Sequence, residues 1–437
     1  MFGKLLRRLD RLRKPHPSIA SLAIFHRRLA TGAGAVLLGL AALAFAWLGD
    51  RAQELFLRLV AAYPYAPLAL TPLTFAVMAY GTHRWAKEAR GSGIPQVIAA
   101  SRMPEDARAA PLVSLRTAFA KVAMTLGVLA AGGSVGREGP TVQSSAAIMV
   151  ACHRLLRVPL SAGVYIAGGA AGVAAAFNTP LAGVAFAIEE LAAAYEQRVA
   201  VLVMGAVMVA GMVSLGIAGD YVYFGALGQT LPVHIVLLAA PVAGIAGGLA
   251  GGLFSRALLG FAAGRTEWIR RIKARPVAWA AALGLAVAII GIASGGATWG
   301  TGYGATRAMI EGDGQPGWFG LAKFGASLAT ALSGVPGGVF APSLSVGAGL
   351  GNLLAPLFGG APVGTIVLLG MIAYFVGVVR APLTGVIILI EATASRGMII
   401  PLFATALIAD LVSTWVCRER LYHGLSRAFL SRSAAGD

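Results

Sequence analysis

The sequence predicts an all-α, polytopic membrane protein assembled from many short, broken helices. Three observations lead there. The 437 residues are 57% hydrophobic and only 12% charged, with a mean hydropathy of +0.77, whereas soluble domains carry about 25% charged residues. Five apolar runs (31–49, 199–218, 233–253, 277–297 and 397–416) are each long enough to cross a bilayer. The 58 glycines and 21 prolines cut further apolar stretches (117–131, 162–177, 181–195, 320–332 and 363–379) into pieces too short for a simple span. Broken helices survive in lipid only where protein or a water-filled cavity satisfies the freed backbone groups. That pattern points to a transporter or channel rather than a plain bundle.

Along the chain, residues 1–30 interleave Lys4, Arg7, Arg8, Arg11, Arg13, Lys14, Arg27 and Arg28 with Leu5, Leu6, Leu9 and Leu12. This reads as a cytoplasmic, amphipathic helix on the membrane surface. It is no signal peptide, because its apolar run starts near residue 31 and no small-residue cleavage site follows. The membrane domain is expected over 31–425. GSGIP (91–95) reads as a helix start, with Ser92 as N-cap and Pro95 in the first turn. GGSVGREGP (132–140) sets the charged pair Arg137–Glu138 in a glycine turn between apolar runs, and GIAGGLAGG (244–252) reads as a close-packing stripe. Basic clusters at 265–275 and at Arg418, Arg420, Arg427 and Arg432 are placed in the cytoplasm by the positive-inside rule, with a tail at 426–437. The net charge of +17 therefore flanks the membrane and does not signal nucleic acid. Cys152 and Cys417 give no disulfide framework, and the six histidines are scattered singly. No nucleophile–base pair or metal-ligand spacing is visible, so no enzyme, cofactor or metal is expected. Only some fifteen residues follow Tyr422, leaving no room there for a soluble regulatory domain.

The chain matches itself without a gap at an offset of 202 residues. GGSVGREGP (132–140) falls on GVPGGVFAP (334–342), and NTPLAGVAFAIEE (178–190) falls on RAPLTGVIILIEA (380–392). The repeats are expected at about 80–218 and 277–416. Transporter folds with internal duplication place their sites at the interface between repeats. Two glycine-rich turns should therefore converge on one site.

Five carboxylates lie inside apolar segments: Glu138, Glu189, Glu190, Glu391 and Asp410. Such residues are costly in lipid and are functional candidates by default. Glu189 and Glu391 are repeat mates, which favours a structural role, capping or pairing inside each half. Asp410 precedes Arg418 and reads as interfacial. Glu190 falls on Ala392 and Glu138 on Phe340, so each is polar in one half only and is a candidate for chemistry. Glu138 also sits where a helix start would cradle an anion. An ionised carboxylate there imitates a bound anion, and a protonated one is free to leave. Arg137 reads as structural.

GSGIPQV (91–97), GREGP (136–140) and GGVFAP (337–342), with the two Glu-bearing segments and the late tyrosine of RERLYHGL, resemble the CLC chloride channels and transporters. The resemblance runs from about 80 to 425. It implies a homodimer of two-repeat inverted protomers, each with its own pathway for chloride and protons, and with no nucleic-acid partner. The bacterial members it most resembles lie in the inner membrane with both termini cytoplasmic. By position, Ser92 and Tyr422 would coordinate the central chloride with hydroxyls. Val339 and Phe340 would offer backbone amides, and the anion-site turns would comprise Gly91, Gly93, Gly136, Gly139, Gly337 and Gly338. Glu138 would be the gating glutamate and Glu190 the internal proton-transfer glutamate, which favours Cl⁻/H⁺ exchange over the alternative of an uncoupled chloride channel. Serine in GSGIP favours chloride over nitrate, and the intact motifs argue against the fluoride-exporting branch.

Overall fold

The computed structural model describes residues 17–191, 197–219 and 222–431, so the basic cluster at 4–14 lies outside the described residues. Nineteen α-helices occur among them. The first, α1 (Pro17–Ala62), runs without a break through residue 31. It is followed by α2 (Pro67–Arg84), α3 (Ile94–Arg102), α4 (Ala109–Leu112), α5 (Leu115–Leu129), α6 (Glu138–Leu155), α7 (Ala162–Phe177), α8 (Pro180–Phe186) and α9 (Gln197–Ala218). Then come α10 (Val233–Ala263), α11 (Glu267–Lys273), α12 (Pro276–Ala293), α13 (Tyr303–Glu311), α14 (Phe319–Leu332), α15 (Phe340–Leu354), α16 (Val363–Val379), α17 (Pro382–Thr393), α18 (Ile399–Val416) and α19 (Leu421–Ser431). Seven helical segments are long and apolar enough to cross a membrane, and the apolar helices α7, α14, α16 and α17 are shorter. The protein is an integral, multi-pass membrane protein.

Helix boundaries follow local chemistry. Ser114 accepts from the Thr117 N–H to start α5, and prolines open α2, α8, α12 and α17, where a missing N–H costs nothing. Asn178 and Arg380 end α7 and α16 in the left-handed conformation (φ 56° and 62°), and they are repeat mates. Arg380 is anchored there by Asp410 (3.1 Å), which gives that intramembrane carboxylate a structural partner. The 244–252 stripe packs α10 on two neighbours. A Cβ on Gly251 would come within 2.5 Å of the Gly377 backbone in α16, and one on Gly248 within 2.7 Å of Ala409 O in α18. Small residues let these backbones touch, which is how apolar helices associate in lipid.

The offset of 202 holds from α5 onward, where Lys121 falls on Lys323: α6 and α15, α8 and α17, and α9 and α18 each begin at repeat mates. Upstream the register changes to 209. There α2 pairs with α12, both of 18 residues, and α3 with α13, both of nine. The link 103–114, which contains α4, is longer than its counterpart 312–318 and absorbs most of the difference. The repeats are inverted. Gly136 and Gly338, themselves mates, form an antiparallel bridge in which each N–H donates to the other's carbonyl (2.8 and 2.7 Å). Mates that pair antiparallel with one another lie across a two-fold axis.

The same axis relates Glu189 and Glu391, and here the expectation of roles inside each half is corrected. Glu391 accepts from the Leu181 and Ala182 N–H groups at the head of α8 (3.2 and 2.9 Å). Glu189 accepts from the Leu383 and Thr384 N–H groups at the head of α17 (3.1 and 2.8 Å) and from the Thr384 hydroxyl (2.8 Å). Each carboxylate caps a helix of the opposite repeat, where unpaired N–H groups and the positive dipole end favour it.

Candidate anion site and gating glutamate

Three glycine turns meet where the repeats cross. The turn before α3 requires φ values of +66° at Gly91 and +107° at Gly93, which only glycine adopts readily. Its Gly91 carbonyl accepts from the Gly337 N–H (3.1 Å), tying it to the turn before α15. A Cβ on Gly139 would collide with the Ser92 side chain, so the turn before α6 lies directly against the first. The Gly136–Gly338 bridge closes the third contact. The helix starts of α3, α6 and α15 are thus brought together, with all six predicted turn glycines at the junction.

Glu138, the first residue of α6, is fully buried. Its carboxylate reaches across to the other repeat, accepting from the Ala341 N–H (3.4 Å) at the head of α15 and from the Tyr303 hydroxyl. Phe340 opens α15 with Val339 as its N-cap. The Phe340 ring sits among Phe186, Phe375 and Tyr422 (centroids 5.8, 5.0 and 5.9 Å away). Among the described residues, the buried Ser92 Oγ and Tyr422 OH have no hydrogen-bond partner beyond each other. Two hydroxyls left to one another beside a helix start are a natural place for a ligand that accepts hydrogen bonds. Both line a cavity of about 580 Å³ that also touches Gly91, Gly337 and Val339 and extends to Lys273 and Trp279 beside α11. Glu138 does not line that cavity.

Arg137 turns away from its neighbour. Its guanidinium donates to Asp50 (2.8 Å) and to Tyr223 OH (3.1 Å), and it lies 5.5 Å from the Tyr303 ring centroid. It is a structural residue that braces the tyrosine holding Glu138, and Asp50 carries the network to the surface (side chain 67% exposed). Glu190 stands apart from the three turns. It is fully buried in a single π-turn, Ala187–Leu191, and neither carboxylate oxygen has a hydrogen-bond partner among the described residues.

Sequence reasoning missed three residues here. Tyr303 opens α13 in GTGYG (300–304), the counterpart of GSGIP at the offset of 209, with positive φ at Gly300 and Gly302 as at Gly91 and Gly93. Lys121 and Lys323 are repeat mates at 202, and both are fully buried. Lys121 Nζ donates to Gly91 O (2.7 Å), and Lys323 Nζ donates to Gly300 O (2.8 Å) and Thr298 O (2.9 Å). Each lysine Nζ clamps the carbonyl of one pseudo-symmetric turn. One turn bears Ser92, the other the tyrosine that holds Glu138. The shared offset of two lysines in apolar segments was the available signal.

The fold is shared with known proteins. The structure is similar to that of a slow cyanobacterial Cl⁻/H⁺ antiporter (22% identity, TM-score 0.80), over 96% of this chain and 100% of that one. It is also similar to a CLC-type fluoride/proton antiporter (21%, TM-score 0.77), over 92% and 98%. A eukaryotic CLC transporter matches over 92% of this chain and 74% of its own (21%, TM-score 0.72). At these identities the likeness shows the fold. The family model described as "Voltage gated chloride channel" matches residues 73–414. The chain therefore belongs to the CLC family of chloride channels and transporters.

Proposed function

We propose that the protein exchanges chloride for protons across the membrane, with Glu138 as the shared gate. The observation that carries this reading is the Glu138 carboxylate itself, which is held at the head of α15 by the Ala341 N–H and the Tyr303 O–H. An anion of the protein's own occupies the donors that a transported anion would use. Chloride would bind between these donors and the hydroxyls of Ser92 and Tyr422, without a metal. Helix dipole ends attract anions with partial charge, so binding stays weak enough for turnover. Ionised, Glu138 competes with chloride. Protonated, it loses its attraction for the positive end of α15 and carries the proton out of the site.

Glu190 would pass protons between the cytoplasm and Glu138, so that the two ions share only part of their route. Two of the similar structures are proton antiporters, one for chloride and one for fluoride, which supports coupling. Ser92 with intact GSGIP and GREGP favours chloride as the anion. The working unit is proposed to be a homodimer with one pathway per protomer, in a bacterial inner membrane with both termini in the cytoplasm. The test is purified wild-type protein in liposomes with an imposed chloride gradient and an internal pH dye. Exchange drives protons uphill. Chloride flux without proton movement would select the uncoupled channel instead.

A further inference from the structure

Glu190 has a neighbour that gives it a way out of the core. His423 Nε2 lies 3.7 Å from Glu190 Oε1. On the other side of the ring, Nδ1 lies 2.6 Å from an Arg102 guanidinium nitrogen. A guanidinium only donates hydrogen bonds, so Nδ1 must accept, and the neutral ring carries its proton on Nε2. That proton faces Glu190, approaching its backbone carbonyl, with the carboxylate oxygen next to it at 3.7 Å. The His423 side chain is 24% exposed while Glu190 is fully buried, so the ring spans the boundary between core and surface. Arg102 is itself exposed.

We infer that His423 is the proton relay between the cytoplasm and Glu190, and that Arg102 is the latch that controls it. This rests on the reading of Glu190 as a proton carrier and names the groups that serve it. While Arg102 donates to Nδ1, the ring cannot take a second proton, and a neutral imidazole does not surrender its only N–H. When Arg102 swings away, Nδ1 accepts a proton from cytoplasmic water and the ring becomes imidazolium. The Nε2 proton then passes to Glu190 Oε1, giving a neutral carboxylic acid and a ring protonated on Nδ1. The ring resets by rotating outward, where cytoplasmic water protonates Nε2 and takes the proton from Nδ1, before it swings back and Arg102 returns. No charge or atom is left over.

The charged groups around the ring favour a closed latch. Among the described residues these are Arg102 on α3, Arg420 just before α19, Arg427 on α19 and Glu190 with its neighbour Glu189 on the π-turn. Arg420 is tied to Glu189 O (3.3 Å), and Arg427 is paired with Glu419. Burial first, then Arg102 and Arg420, lower the His423 pKa from 6.5 to about 4. The ring is therefore neutral above about 4, and removing Arg102 raises the pH at which it charges.

The experiment is coupled transport in liposomes as a function of pH on the cytoplasmic face, for wild type, His423→Ala, Arg102→Gln and Glu190→Ala. A positioned acid–base group contributes about 100-fold or more. Since water replaces part of that here, His423→Ala is expected to slow coupled exchange about tenfold and flatten its pH profile. Added imidazole should restore the rate. Arg102→Gln should shift the profile upward in pH, toward the ordinary histidine range. An unchanged rate in His423→Ala overturns the relay. So does a loss that imidazole fails to rescue and that leaves the shape of the profile intact, since that is a structural defect. The two readings fail separately. Coupling that survives Glu190→Ala removes the proton-carrier reading, whereas uncoupling by Glu190→Ala with no effect of His423→Ala removes only the relay.

Discussion

Tyr303→Phe deletes one oxygen from the gate's seat and keeps the ring, which packs on Tyr223 and Phe224 with centroids 4.7 and 5.7 Å away. The lost interaction is a hydroxyl donating to the Glu138 carboxylate. Hydrogen bonds to charged groups contribute about 1.5–3 kcal/mol. The remaining direct donor from α15, the Ala341 N–H at 3.4 Å, is long and does not compensate. At about 1.4 kcal/mol per tenfold, the seated gate weakens by about 10- to 150-fold. Under the proposed mechanism Glu138 and chloride compete for the head of α15, so chloride affinity should rise by up to that factor, and by less where Glu138 is already partly unseated. Calorimetric chloride titration of the detergent-solubilised protein at alkaline pH measures this. Repeating it in a Glu138→Ala background supplies the control, because with no carboxylate to hold the substitution should change nothing. The reasoning is refuted if Tyr303→Phe leaves the chloride Kd unchanged, or shifts it equally with and without Glu138.

Three further outcomes are expected. Glu391→Ala removes two helix-capping bonds to Leu181 and Ala182. It should cost about 2–3 kcal/mol, seen as a lower melting temperature with the chloride-to-proton ratio of the folded protein unchanged. Lys121→Met removes the Nζ that clamps the Gly91 carbonyl, which loosens the turn carrying Ser92. Chloride affinity should fall while the protein still folds, and an unaltered Kd would show that the clamp does not position the site. Gly338→Ala places a methyl within 2.9 Å of the Gly139 backbone nitrogen and 3.1 Å of Gly136 O. That breaks the bridge on the pseudo-two-fold axis, and the variant should fail to give a monodisperse peak on size-exclusion chromatography.

The three anion-site turns were legible because glycine and proline frame a polar residue inside an apolar chain, which is a sharp local departure. The duplication was legible from α6 onward because α6 to α9 and α15 to α18 keep one register without insertion. Upstream the longer link 103–114 breaks that register. GTGYG thus remained an unremarkable loop, and Tyr303 went unseen although its turn mirrors GSGIP. Lys121 and Lys323 share the offset of 202, but their role was hidden for another reason. A lysine in an apolar helix usually snorkels toward water, and only the folded chain brings these two onto Gly91 O and Gly300 O. The pairing of Glu189 and Glu391 was readable as a repeat, but not its direction. Capping across the halves depends on inversion, which the Gly136–Gly338 bridge reveals and the one-dimensional offset does not. Arg137 drew attention for its neighbour Glu138, yet its partners Asp50 and Tyr223 lie 87 and 86 positions away.

The central claim is that one carboxylate, Glu138, is both the gate for chloride and the carrier of protons. Its most direct test is Glu138→Gln in liposomes under an imposed chloride gradient, with chloride efflux and internal pH followed together. The account predicts that chloride still moves and proton movement stops, because glutamine keeps the shape of the gate but cannot exchange a proton. Protons still driven uphill by chloride through Glu138→Gln would contradict it.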